Sequence, residues 1–294
     1  MRIFQILIIL YLPLSLYSIE MKELENNVIT AVISMRNQRT YEAQFKQNIT
    51  VKKALRSALS HDESFNYPFD SLGKLMGTMI APDKAFRLFN WNLEKPNGEH
   101  LYFGLVMHYD KRRERYLITE LFDKSASIAD SEPEKKALDN RNWFGALYYR
   151  IIPFEKGTKT YYLLLGWDGN NKLSKKKLID VMAFSGSKIK FGFPIFRQED
   201  GQWLRRIIFE YSAQASMSLK QYDSKKSTLI VFDHLSPSSG ALKGHPEHLF
   251  PDGSFDAFQL DKGKWFFHKD PDARIKKSQN DKYYNLPDDA KPRQ

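Results

Sequence analysis

The sequence predicts an α+β fold that is mainly β: N-terminal helices packed on a large antiparallel sheet, of sandwich or open-barrel form. Three observations predict it. Apolar residues recur at helical spacing up to about residue 80, and then change to short aromatic and β-branched runs. Several connections between those runs are too short for a helical crossover, which favours antiparallel hairpins. Some runs are apolar on both faces, and a strand buried on both sides requires a covering layer. Of the 294 residues, 42% are hydrophobic and 14% aromatic, ample for a packed core.

Met21, Leu24, Val28, Val32 and Met35 mark the first helix. Thr50 is placed to cap a second, with Val51, Ala54, Leu55 and Leu59 on one side. Asp70 is placed to start a third, carrying Leu72, Leu75, Met76 and Met79. From Ala85 the runs AFRLFNWNL, HLYFGLVMHYD, RYLITELFD, WFGALYYRIIPF and TYYLLLGWDG read as strands. IKFGFPIF, WLRRIIFEYS, SMSLKQYD, TLIVFDHL, FDAFQL and KWFFHKD follow. Turn groups separate many of them: Pro96-Asn97-Gly98, Asp168-Gly169-Asn170-Asn171, Glu199-Asp200-Gly201 and Asp261-Lys262-Gly263. Lys111 to Arg115 reads as another hairpin turn. One helix is expected to interrupt the series, from Ser174 to Phe184, with Lys175, Lys176 and Lys177 on its exposed start. In TYYLLLGW, Tyr161, Leu163, Leu165 and Trp167 share one side and Tyr162 and Leu164 the other.

Arg2 followed by an apolar run from Ile3 to Tyr17 has the pattern of a secretory signal peptide. The expected organisation is a leader over 1–18, a helical region over 19–80, a β domain over 81–270 and a polar, disordered tail over 271–294. There is no cysteine, which removes thiol catalysis, thiolate zinc sites and iron–sulfur clusters. A large exported chain without disulfides fits a bacterial envelope, in the periplasm or outside the cell. The formal charge of +10 favours anionic partners. At an envelope these are an acidic glycan, lipid headgroups or an envelope protein, rather than nucleic acid. No phosphate-binding glycine loop or dinucleotide fingerprint is present, and no cofactor is expected.

The stretch LIVFDHLS places Asp233 and His234 at the end of an apolar run. On a strand their side chains point to opposite faces, so they do not pair with each other. A triad needs another acid for His234 and a separate nucleophile, and Pro237 argues against the strand reaching Ser236. His245, His248 and His234, with Glu247 or Asp252 as an oxygen ligand, are metal candidates, but i and i+3 across a proline is loop geometry. The Asp168 turn has Ile179 where a calcium loop needs its twelfth-position acid. Glu210 shares a strand face with Arg206, its candidate ion-pair partner. As a general acid Glu210 needs a second carboxylate, for which Glu120 is the nominee. Asn90, Asn92, Tyr102, Tyr148 and Trp167 are candidates for an aromatic and amide surface that binds a sugar or peptide.

The motifs APDKAFRLFNWNL, NWFGALYYRI, YYLLLGWDGNN, RRIIFEYSAQASMSL, LIVFDHLSP, DGSFDAF and KGKW together resemble a family of exported, β-rich proteins of Bacteroidetes. The resemblance spans about residues 65 to 272. It implies an envelope location and a β-rich fold, and it carries over no catalytic residues. The extensive aromatic strand series, without a recognisable catalytic constellation, makes a binding or structural module the expected function. The alternative is an envelope hydrolase built on Glu120, Glu210, Asp233 or His234, and it requires at least two of these to face one pocket.

Overall fold

A computed structural model describes residues 12–223 and 227–269, with side chains from residue 19 onward. The leader expected over 1–18 falls largely outside these residues, and the tail expected over 271–294 entirely so. Helix α1 (Leu12–Arg36) and helix α2 (Tyr41–Leu59) form an antiparallel pair. The cap of α2 is Thr40, whose hydroxyl accepts from the Ala43 N–H, so Thr50 lies inside the helix instead of starting it. No third long helix follows. Pro68 and a left-handed Phe69 (φ 57°) break the chain into 3-10 turns, and the apolar residues from Leu72 to Met79 feed the first strand.

Strands β1 (Gly77–Ile80), β2 (Phe86–Glu94), β3 (His100–Asp110) and β4 (Arg115–Phe122) form an antiparallel meander. A single-turn helix α3 (Ser125–Ile128) leads to β5 (Leu138–Asp139). Then come β6 (Leu147–Lys156), β7 (Lys159–Asp168), β8 (Ser174–Ser185) and β9 (Lys188–Phe191). They pair in the order β5-β9-β8-β7-β6. The short strands β10 (Phe196–Arg197) and β11 (Trp203–Leu204) precede β12 (Ile207–Ser212), which pairs with β8. The last strands are β13 (Leu219–Asp223), β14 (Thr228–Pro237), β15 (Leu249–Asp261) and β16 (Lys264–Lys269). The third sheet runs β11-β10-β16-β15-β14-β13 and is antiparallel except at β10–β16.

The molecule is mainly β, with no closed barrel, and its layers follow from strand alternation. On β2, Phe89, Trp91 and Leu93 pack on the helices, while Phe86 and Leu88 pack on the middle sheet. On β7, Tyr162 and Leu164 face the first sheet, while Leu163 and Leu165 face the third. The covering layer demanded by the two-faced apolar runs is thus a sheet on each side of the middle one. The helix expected from Ser174 to Phe184 is instead β8, the strand at the centre of that sheet. Leu178 to Ala183 are all fully buried. A run buried on both faces shows neither the helical nor the alternating period clearly, and its pairing with β7, β9 and β12 decides its form.

A buried arginine ties the helical layer to the first sheet. Arg87 is 4% exposed and donates to the carbonyls of Ser64, Phe65, Tyr67 and Pro68. It also lies over the rings of Phe69 and Phe89. Its charge is neutralised by carbonyl dipoles rather than by an acid. Arg87→Met is expected to lower stability by about 2–3 kcal/mol, because it orphans these carbonyls. Urea unfolding measures this, and a loss below about 0.5 kcal/mol would contradict that role.

Candidate functional site

The site begins as a row across three strands of the middle sheet. Asp168 at the end of β7 is in register with Lys176 on β8, and Lys176 is in register with Glu210 on β12. The three share the face that looks toward the first sheet. The turn between β7 and β8 stitches them together. Asn170, left-handed at φ 49°, donates its backbone N–H to Asp168 Oδ1 at 2.8 Å. Its side chain accepts from Lys176 Nζ at 2.8 Å and donates to Glu210 Oε1 at 3.0 Å. Asparagine tolerates this backbone and presents both a donor and an acceptor, which suits it to bridge a cation and a carboxylate.

The first sheet supplies the opposite wall. Tyr102 on β3 donates its hydroxyl to Asp168 Oδ1 at 2.7 Å and accepts the Gly169 N–H at 2.8 Å. His100, two residues earlier on the same face, stacks near Tyr102 and meets Trp167 edge-on at 5.7 Å. Its Nδ1 lies 2.7 Å from Asn92 Nδ2. The direction of this contact depends on the imidazole tautomer. A Cβ at Gly169 would stand 2.1 Å from His100 Nε2, which explains why this turn carries glycine there. Lys95, Glu99, Ser125, Ala129, Asp130 and Phe144 complete a cavity of about 240 Å³.

The electrostatics follow from burial. Desolvation pushes the Asp168 carboxyl above its ordinary value, against the hydrogen bonds from Tyr102 and Asn170 and the charge of Lys176. Burial raises the Tyr102 phenol too, with the Asp168 charge adding to it. Burial lowers His100, opposed by the charges of Glu94 and Asp168. The cavity therefore presents a neutral imidazole, two ammonium groups and carboxylates in one small volume.

Four of the residues singled out from sequence meet here: Asn92, Tyr102, Trp167 and Glu210. The others do not. Glu120 faces the helices and is held by Lys52 Nζ at 2.7 Å and Arg56 Nη2 at 2.8 Å. Burial pushes its carboxyl up, but these two cations prevail and hold it low. Asn90 and Tyr148 are core residues, not a surface. Asn90 Nδ2 donates to the Ala146 carbonyl at 3.3 Å, and Tyr148 receives the Trp143 indole N–H at 2.9 Å. Glu210 and Arg206 do share a face, but they do not pair. Four residues along a strand separate them by roughly 13 Å. Arg206 binds Asp180 instead, at 3.0 Å.

Asp233 and His234 lie in the third sheet, away from this cavity. Asp233 accepts the Ser218 N–H at 2.7 Å. Strand β14 does continue through Ser236 to Pro237, with a register shift between Asp233 and Leu235. His234 finds its acid across the strands, with Nδ1 at 2.6 Å from Asp256 Oδ2. Ser236, however, donates to Asp252 Oδ2 at 2.7 Å, and Ser254 to Asp252 Oδ1 at 2.7 Å. The cluster clasps the β14–β15 irregularity, and its hydroxyls are spent on a carboxylate. His245 pairs with Glu247 at 3.4 Å, and its ring centre lies 6.5 Å from that of His248. Among the described residues, no group of three or more His, Asp or Glu is arranged to hold a metal.

His100, Asp168, Asn170 and Lys176 are the functional candidates that sequence reasoning missed. For Asp168 and Asn170 the signal is the polar run WDGNN, which has the form of a turn, whereas His100 and Lys176 carry none. No family model, curated protein or solved structure matches this chain.

Proposed function

We propose that the protein is an exported binding module of the cell envelope, and that the cavity over Asp168–Asn171 holds its ligand. One observation carries the reading: the hydroxyls at the site are committed as donors to carboxylates. Tyr102 gives its proton to Asp168, and Ser125 gives its to Asp123 at 2.5 Å. With both hydroxyls bound to carboxylates, neither is hydrogen-bonded to a histidine that could activate it as a nucleophile. The cavity is smaller than the roughly 300–1,000 Å³ of drug-sized sites, which suits one small hydroxylated group such as a single sugar ring. Its mix of ammonium, imidazole N–H, amide and carboxylate groups matches the alternating donors and acceptors of such a ligand. Location in the periplasm or outside the cell rests on the leader pattern, the absence of cysteine and the resemblance to exported Bacteroidetes proteins. Among the described residues, no helix is long and apolar enough to cross a membrane.

The test is a screen of the full chain against immobilised envelope glycans and their fragments, followed by titration of each hit. Gly169→Ala drives a methyl group into His100, and is expected to weaken binding at least tenfold while leaving the circular dichroism unchanged. Absence of any glycan hit, or equal affinity in the variant, would refute the reading. The hydrolase alternative draws on the raised carboxyl of Asp168. Turnover of a bound glycan that Asp168→Asn abolishes would decide for it.

A further inference from the structure

A second cavity, of about 450 Å³, lies on the other side of α3. Ser125 and Ala129 face the first cavity, and Ile128 faces this one. Its walls carry Lys136, Lys190 and Arg205 against a single carboxylate, Asp139. That carboxylate is already occupied. Its Oδ1 accepts the backbone N–H groups of Arg141 and Asn142 at 3.0 and 3.2 Å, and Lys190 reaches Oδ2 at 3.4 Å. Lys136 donates to the Ser131 hydroxyl at 2.6 Å, so the lining carries three cations against one carboxylate that Lys190 already engages.

Arg205 is the centre of that surplus. Its neighbour Arg206 is fully buried and bound to Asp180, whereas Arg205 is half-buried and has no acidic partner among the described residues. Its guanidinium makes one hydrogen bond, from Nη1 to the Gly192 carbonyl at 3.1 Å. Of five N–H donors, four are left without a protein acceptor among the described residues. Such a fork matches the paired oxygens of a carboxylate, sulfate or phosphate.

The surroundings hold the fork in place. The Arg205 N–H donates to the Glu134 carbonyl at 2.7 Å. Gly192 adopts φ 74° and donates to the Val181 carbonyl at 2.8 Å. A Cβ at Gly192 would stand 2.4 Å from the Lys136 carbonyl oxygen, so the two walls touch there through backbone. Pairing of Leu138 with Phe191 and of Asp139 with Lys190 closes the floor, which is apolar beneath the charged rim. A preformed cationic fork above an apolar floor calls for a ligand with both characters.

We propose that this cavity binds a small organic oxyanion, a carboxylate, sulfate ester or phosphate ester attached to an apolar body. The head sits on Arg205 between Lys136 and Lys190, and the body lies against Leu138 and Phe191. The site goes beyond the glycan cavity and uses none of its side chains.

Isothermal titration of the full chain with benzoate, phenyl sulfate and phenyl phosphate at low salt tests it. At least one is expected to bind, and phenyl phosphate more tightly than inorganic phosphate. Arg205→Gln is expected to weaken the best binder at least tenfold. Lys190→Gln, at a side chain 44% exposed, is expected to weaken it about threefold and serves if the first variant fails to fold. Binding of none of the three probes would overturn the proposal, as would equal affinity in the folded variants. Phosphate binding as tightly as phenyl phosphate would overturn the role of the apolar floor.

Discussion

Asp180→Ala is expected to destabilise the protein by about 3–5 kcal/mol, because it strands a guanidinium in the core. Asp180 and Arg206 are both 0% exposed. Arg206 Nη2 lies 3.0 and 3.2 Å from the two carboxylate oxygens, and Nη1 donates to the Pro133 carbonyl at 2.6 Å. Arg206 Nε has no hydrogen-bond partner among the described residues. Without the carboxylate, a charge far from water keeps one carbonyl and the face of Phe144, 5.8 Å away. Tyr148, whose hydroxyl is 3.4 Å from Asp180 Oδ2, loses its acceptor as well. Urea unfolding followed by tryptophan fluorescence gives the value. The double variant Asp180→Leu/Arg206→Met is expected to recover most of the loss, since an apolar pair of similar volume removes both desolvation costs. A single-variant loss under about 1 kcal/mol would mean that the pair is not dry.

Acidification from pH 7 to pH 5 is expected to destabilise the fold, and His108 to carry much of the effect. His108 sits on β3 between the first and middle sheets, 4% exposed, with its ring 4.6 Å from Phe184. Among the described residues neither ring nitrogen has a hydrogen-bond partner. Burial lowers its pKa below the ordinary 6.5, and the charge of Asp110 only partly opposes this. His100 is lowered in the same direction. A lowered folded pKa means that the unfolded chain binds more protons in the window just below pH 6.5. Stability is therefore full above that value and declines as pH falls through the window. Each excess proton contributes a slope of about 1.4 kcal/mol per pH unit. Asp168, whose carboxyl is raised, acts in the opposite sense and becomes less costly to bury as it protonates. His108→Phe fills the same space without a titrating group, and is expected to flatten the slope. Urea midpoints across the pH series measure both chains. Equal slopes in the two would remove His108 as the cause.

One strand, Ser174–Ser185, conceals the site at the level of sequence. Tyr162, Leu164, Gly166 and Asp168 share a face by alternation alone, and this was legible. Lys176, Leu178, Asp180 and Met182 share a face only if Ser174–Ser185 is a strand. Read as a helix, the same residues scatter around an axis, and the hairpin that sets Asp168 beside Lys176 disappears. Glu210 was visible as a strand carboxylate, but its partners were not, because β12 pairs with β8 across more than twenty intervening residues. His100 carries no signal in the sequence, because a histidine at a strand start is ordinary until a glycine turn is pressed against it.

The sequence by itself determined the class of the fold, the change from helices to strands, most of the hairpin turns and the two-sided burial of β7. These depend on local period and on residues such as Asn97, Gly98, Lys262 and Gly263, whose preferences act over a few positions. Tertiary structure alone decided that the middle sheet lies between two others, and that Arg206 chooses Asp180 over Glu210. It also decided that Asn90 and Tyr148 are core, while Tyr102 lines a cavity and Asn92 touches His100 at its wall. Those outcomes depend on which strands become neighbours. Strand pairing joins residues far apart in the chain, and the energy of a buried charge is set by the groups that it meets there.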